Sequence, residues 1–286
     1  MKTDFLKSES APANNPVEAL SSIVINNRTI SFKKSGSGPP LIIFHGWIGN
    51  EDTFSSCHAA FAPYYTVYRL AWPGYGKSSP IPDFSVGDLA ETGKHLIYAT
   101  GNAPVTIIGI CLGGIAAVEL IRLYPALVKQ LVLIEMYDYM PWYMYPLLVP
   151  GLNIFLYKFL FKNVAGLDIL HRLFTFKMVR HSEAVRYIRQ AFLRTDARVA
   201  TDFLKAVKRF QDSMCREQYT TDIPTIYVEG GRSIPPISAF RETAHKYFRN
   251  LTFMPMPECL HLPAIEQPEL FSARLLHHLG KASSEF

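Results

Sequence analysis

The sequence predicts a doubly wound, mostly parallel α/β sheet carrying one large helical insertion. Three observations lead there. Short apolar runs rich in Val, Ile and Leu, such as residues 41–44, 105–110 and 130–135, read as strands buried on both faces. Segments with helical apolar spacing lie between them, and strands alternating with helices favour parallel pairing. The chain has 286 residues, long for one ordinary domain but normal for an α/β domain with an insertion. With 49% hydrophobic and 19% charged residues it can bury a sizeable core.

In chain order, residues 1–20 are polar and proline-containing and read as a loose arm. Residues 22–26 and 29–33 are short strands about an Asn-Asn-Arg turn. Residues 41–44 form a buried strand that runs into His45-Gly46-Trp47. Residues 65–71 form another, followed by Trp72-Pro73-Gly74-Tyr75-Gly76-Lys77-Ser78-Ser79. Val86, Leu89, His95, Leu96 and Tyr98 give residues 85–99 helical spacing. Strands are then expected at 130–135, 225–229 and 251–256, and helices at 239–248 and 268–279. The core is expected to comprise residues 21–136 and 222–286, and the insertion residues 137–221, after the sixth strand.

The most informative stretch is Val105-Thr106-Ile107-Ile108-Gly109-Ile110-Cys111-Leu112-Gly113-Gly114, followed by a helix-like run over 115–127. Strand, Gly-x-Cys-x-Gly and helix in that order form the layout of a nucleophile elbow, with Cys111 in the position usually held by serine. The glycines flanking the central residue are read as sites where a Cβ would clash. The bland alternative is that Cys111 is a small buried hydrophobe.

Composition restricts the function. A net charge of +5 is too diffuse to argue for a nucleic-acid partner. The first residues lack an apolar core, so no secretory leader is expected. Cys57, Cys111, Cys215 and Cys259 show neither metal-ligand spacing nor a disulfide framework. No metal and no cofactor are therefore expected, and a reduced, cytoplasmic setting fits.

Five motifs in order carry a resemblance: His45-Gly46-Trp47, Pro73-Gly74-Tyr75-Gly76-Lys77-Ser78-Ser79, the Cys111 elbow, Ile223-Pro224-Thr225, and His261 followed by Glu266-Gln267-Pro268. Together they resemble the capped α/β-hydrolase fold superfamily, similar to haloalkane dehalogenases, epoxide hydrolases and carbon–carbon bond hydrolases, over roughly residues 23–280 outside the insertion. The cysteine elbow resembles dienelactone hydrolases and polyhydroxyalkanoate synthases. The absence of an elbow aspartate argues against dehalogenase and epoxide-hydrolase chemistry.

The resemblance makes Cys111 the nucleophile and His261 its base. The acid is open. Ser233 stands where many relatives place an aspartate, so Glu135, at the end of its apolar run, is favoured, with Asp138 and Glu229 behind it. A Cys–His pair can also ionise without an acid. The N–H groups of Trp47 and Leu112 are the expected oxyanion donors. His45, Gly46, Tyr137 and Trp142 are candidate substrate contacts, the His-Gly pair as the shape of the loop beside the oxyanion hole.

These residues imply an enzyme acting on a hydrophobic ester or thioester, as thioesterase, acyltransferase or cyclase. The substrate is an acyl group, carrier-protein- or coenzyme A-linked in one version. A non-catalytic protein binding an apolar ligand under the cap is the second reading. The basic residues Lys177, Arg180, Arg186, Arg189, Arg194, Arg198, Lys205, Lys208 and Arg209 read first as a solvated face and second as a dock for an acidic carrier. Membrane-surface contact through the aromatic start of the insertion is a less favoured reading.

Overall fold

The computed structural model describes residues 18–170, 172, 182–214, 219–231 and 235–281. Ser233, Cys215, Lys177, Arg180 and residues 1–17 of the expected arm lie outside the described residues.

The strands are β1 (Ala19–Ile25), β2 (Arg28–Ser35), β3 (Pro40–Phe44), β4 (Thr66–Leu70), β5 (Val105–Ile110), β6 (Val128–Ile134), β7 (Thr225–Gly230) and β8 (Leu251–Met256). They form one sheet in the order β1-β2-β4-β3-β5-β6-β7-β8. Pairing is antiparallel for β1 with β2 and β2 with β4, and parallel from β4 through β8. The central strands β3, β4 and β5 are buried along their whole length, as continuous apolar runs require. β1 begins at Ala19, so two residues assigned to the arm pair with Lys33 and Lys34 instead.

Among the described residues the α-helices are α1 (His58–Phe61), α2 (Val86–Thr100), α3 (Gly113–Leu123), α4 (Leu152–Phe161), α5 (Val164–Leu170), α6 (Ser182–Arg194), α7 (Ala197–Met214), α8 (Pro235–Thr243), α9 (Pro263–Glu266) and α10 (Pro268–His278). α2 opens on a capping box between Ser85 and Asp88. α3 stops at Leu123, before Pro125, whose ring cannot continue a helix; residues 125–127 form a separate 3₁₀ turn. α8 starts at Pro235, earlier than the spacing suggested, because proline suits the first turn of a helix.

Between β6 and β7 the chain leaves the sheet. It forms a 3₁₀ segment, Trp142–Leu148, and then α4 to α7. Among the described residues no single helix is long and apolar enough to cross a membrane.

Candidate active site

Three loop ends converge at the carboxyl edge of the sheet. Cys111 follows β5 in the left-handed region at φ 51°, a conformation that turns its side chain out of the strand. Its N–H donates to Ile134 at 2.8 Å, and its carbonyl accepts from Gly114 at 2.9 Å as α3 begins. A Cβ on Gly109 would approach Gly114 Cα to 2.6 Å, and one on Gly113 would meet the His45 carbonyl at 2.4 Å. The elbow glycines therefore let α3 press on β5 and on the loop after β3.

Glu135 follows β6, also at φ 51°, and is fully buried. Its N–H donates to Val228 at 3.0 Å. Its Oε1 accepts the N–H of Gly230 at 2.5 Å, and its Oε2 lies 3.3 Å from His261 Nδ1. Tyr227 steadies the same segment by donating its hydroxyl to the Met136 carbonyl at 2.7 Å.

His261 sits in the loop after β8, with its other side against Cys111. Burial alone would lower the pKa of the ring, but the bond and charge of Cys111 and then those of Glu135 outweigh it, and the pKa is pushed up to about 10. The imidazole therefore stays protonated through neutral pH beside the sulfur, which stands at the positive N-terminal end of α3. The other two described thiols differ. Burial pushes Cys57 to about 12, and burial followed by Glu266 and Glu258 does the same to Cys259, so both remain thiols at neutral pH.

The other two carboxylates weighed for this place are engaged elsewhere. Asp138 accepts from the Tyr247 hydroxyl at 3.0 Å, and Glu229 pairs with Arg241 at 3.0 Å.

Tyr137 is buried, and its hydroxyl hydrogen-bonds to Cys111; burial first, and then the charge of Cys111, raise its pKa well above the usual phenol value. Trp47 follows β3. Its carbonyl accepts from the Tyr75 hydroxyl, and its indole N–H donates to Ala200 at 2.8 Å. Its ring meets Tyr157, Phe161 and Phe192 edge-on, which ties the loop to the insertion. Leu112 is buried at the start of α3. Neither the Trp47 nor the Leu112 N–H donates within the described residues outside regular helix and strand bonding.

His45 and Trp142 face opposite ways, one inward and one outward. His45 faces inward: Nδ1 bonds to the Gly46 carbonyl at 2.8 Å and Nε2 accepts the N–H of Trp72 at 3.2 Å. Burial lowers its pKa to about 4, so it stays neutral and shapes the Gly46–Trp47 loop with both ring nitrogens occupied. Trp142 is 79% exposed, because the 3₁₀ segment turns it outward.

Two residues with structural duties at the site were not assigned a role from sequence. Gly230 sits so close to the His261 loop that a Cβ would lie 1.9 Å from the Leu260 carbonyl. Glu266 accepts from the N–H groups of Leu260 at 3.2 Å and Leu262 at 3.0 Å, gripping His261 from both sides. A glycine pair at a strand end, and an acid a few residues after the histidine, were the available signals. The basic residues of the insertion are largely answered locally, by Arg189–Asp168 at 2.6 Å, Lys205–Asp202 at 3.0 Å, Arg209–Asp83 at 2.9 Å and Lys208–Asp212.

Fold and motifs together define an α/β-hydrolase fold. The family model described as alpha/beta hydrolase fold matches residues 39–173. The chain is similar to the pimeloyl-[acyl-carrier protein] methyl ester esterase of Shewanella woodyi, 34% identical over 106 residues, which is 37% of this chain and 39% of that protein. It thus spans about two fifths of the length of the curated relatives it matches. Among solved structures, the epoxide hydrolase of Vigna radiata superposes with a TM-score of 0.77 at 15% identity, covering 93% of this chain and 99% of that one. A thermophilic esterase from Thermogutta terrifontis superposes with a TM-score of 0.74 at 19% identity, covering 93% and 98%.

Proposed function

We propose that this chain is a cysteine-dependent enzyme that cleaves a hydrophobic ester or thioester through an acyl-Cys111 intermediate. The observation that carries the reading is the bridge made by His261, which touches Cys111 on one side and the buried Glu135 carboxylate on the other. Glu135 is the triad acid in this account, and Gly230 orients it.

The thiolate of Cys111 attacks the carbonyl carbon of the substrate. The carbonyl π electrons move to oxygen, and the N–H groups of Trp47 and Leu112 receive the oxyanion. The intermediate collapses, the bond to the leaving alkoxide or thiolate breaks, and His261 donates its proton to that group. Neutral His261 then takes a proton from water, and the resulting hydroxide attacks the thioester. Collapse releases the acid and restores thiolate and imidazolium. An alcohol or amine entering in place of water turns the same cycle into acyl transfer.

The aromatic and apolar insertion over residues 137–221 serves as the cap over the acyl group. A reduced, cytoplasmic setting keeps the thiol active. The Shewanella relative acts, by its name, on a methyl ester carried by an acyl-carrier protein, which supports ester chemistry and a carrier- or coenzyme A-linked acyl group here.

Steady-state turnover of a series of acyl esters and acyl thioesters tests the reading. Wild type is expected to release product, and Cys111→Ala and His261→Gln are expected to lose it by at least about a hundredfold. Equal rates in wild type and Cys111→Ala contradict it.

A further inference from the structure

Residues 139–167 contain no aspartate or glutamate and only two lysines, Lys158 and Lys162. The stretch holds the 3₁₀ segment Trp142–Leu148 and α4, apolar enough together to pass as a membrane span but bent by 115° between them. A bend of that size prevents a straight crossing and leaves two short arms able to lie along a surface.

In α4, Asn153, Tyr157 and Phe161 are buried, the two aromatic rings against Trp47 and Phe192. Its opposite face is open. Leu152, Phe155 and Phe159 are exposed on one stripe, Phe155 at 63% and Phe159 at 57%, their rings stacked with centroids 6.1 Å apart. Lys158 stands exposed beside them, and Lys162 follows one turn later. Trp142, Tyr143 and Tyr145 extend the exposed surface from the 3₁₀ segment. Apolar surface concentrated this way marks a docking face rather than scattered exposure.

The residue types select the occupant. Exposed phenylalanine, leucine, tryptophan and tyrosine with lysine among them suit the headgroup layer of a bilayer. A second copy packed on this face would bring more lysine to it and no acid, since residues 139–167 contain none. Anionic phospholipid headgroups supply the missing negative charge, and the Lys158 stem can lie along the apolar surface while its ammonium group reaches it; the Lys162 ammonium donates to the Leu193 carbonyl.

We propose that the face formed by Trp142, Tyr143, Leu152, Phe155 and Phe159 docks in the interface of an anionic phospholipid bilayer, where the enzyme takes an ester carried in the lipid. The second half of this proposal rests on the acyl-Cys111 reading; docking does not. The 3₁₀ segment links the face to the site, because its Leu147 is buried in the core against which Cys111 packs.

Co-sedimentation of the full chain with phosphatidylcholine/phosphatidylglycerol vesicles tests docking, with pure phosphatidylcholine vesicles and added salt as comparisons. Wild type is expected to sediment with the mixed vesicles, and less with phosphatidylcholine alone or in high salt. The double variant Phe155→Glu/Phe159→Glu is expected to lose partitioning at least about tenfold. Its turnover of a short soluble ester is expected to remain. Lys158→Glu, which removes no packing from the core, is expected to weaken binding to mixed vesicles alone. Cys111→Ala is expected to bind like wild type, so retained binding without turnover in any variant separates docking from the chemistry. Docking is overturned if wild type does not bind, if the Phe variant binds equally, or if sedimentation velocity without lipid finds a wild-type dimer that the Phe variant dissolves.

Discussion

The backbone N–H of Cys111 donates to the carbonyl of Ile134 at 2.8 Å, so β5 and β6 end level with each other. The residue after Ile134 is Glu135, and Cys111 and Glu135 share the same left-handed φ of 51°. The sulfur and the carboxylate are thus presented from adjacent strand tips by the same backbone device. Each such residue costs about 1–2 kcal/mol relative to an ordinary conformation. The sheet offsets that cost through the ladder bonds on both sides. His261 reaches them from the loop after β8, two strands beyond β6.

Glu135→Gln is expected to separate the carboxylate's electrostatic part from its geometry. In wild type the raised pKa of His261, about 10, keeps the ring protonated through neutral pH, and leaving-group protonation fails only as pH rises through that value. Removing the carboxylate charge removes one of the two effects that raise the pKa and leaves burial, which lowers it. The alkaline limb of kcat/KM is expected to move down towards neutrality, with a loss on the order of 100-fold at pH 8. A pH–rate profile checks this, and an unmoved limb argues that Glu135 acts only through packing.

Tyr137→Phe removes one donor from the Cys111 thiolate and little volume. A hydrogen bond to a charged group contributes about 1.5–3 kcal/mol, which the sulfur anion of the proposed cycle would lose. Alkylation of Cys111 by iodoacetamide is expected to slow about tenfold. An equal rate would show that the hydroxyl does not support the reacting sulfur.

Gly230→Ala places a methyl group where the Leu260 carbonyl stands, 1.9 Å away. Both atoms are backbone-fixed, so β7 or the His261 loop must move. A loss of about 1–3 kcal/mol and a lower Tm are expected by thermal unfolding. Activity is expected to fall further than stability does, because the shift acts on the N–H that holds Glu135.

Glu266→Ala strips the loop of its acceptor for Leu260 and Leu262. Leaving those N–H groups without partners is expected to destabilise the fold by about 3 kcal/mol. Glu266→Gln keeps one acceptor oxygen and is expected to recover most of the stability. Comparing the two by thermal melts distinguishes the hydrogen bonds from the charge.

Much of this arrangement was legible in the sequence because the backbone announces it. The run from Val105 to Gly114 states strand, sharp turn and helix in ten residues. Glu135 ends an unbroken apolar strand, and an acid there has few solvent-facing options. The bond that fixes the His45 ring in its loop is not readable from sequence, because its partner, Trp72, is 27 residues away and bonds through backbone. Gly230 looked like half of a loop pair, since only the approach of the β8 loop makes its missing Cβ necessary. The aromatic neighbours of Trp142 suggest a pocket residue, but period alone does not tell which face of a proline-bounded 3₁₀ segment points outward.

Intact-protein mass spectrometry after brief exposure to acyl thioesters of increasing chain length reads the acyl-Cys111 intermediate itself. An added acyl mass is expected on wild type, absent from Cys111→Ala, and accumulating when His261→Gln slows its removal by water. Binding of the same compounds by both wild type and Cys111→Ala, with no covalent mass on wild type at any time or pH, would contradict it and leave a fold that holds an apolar ligand without reacting with it.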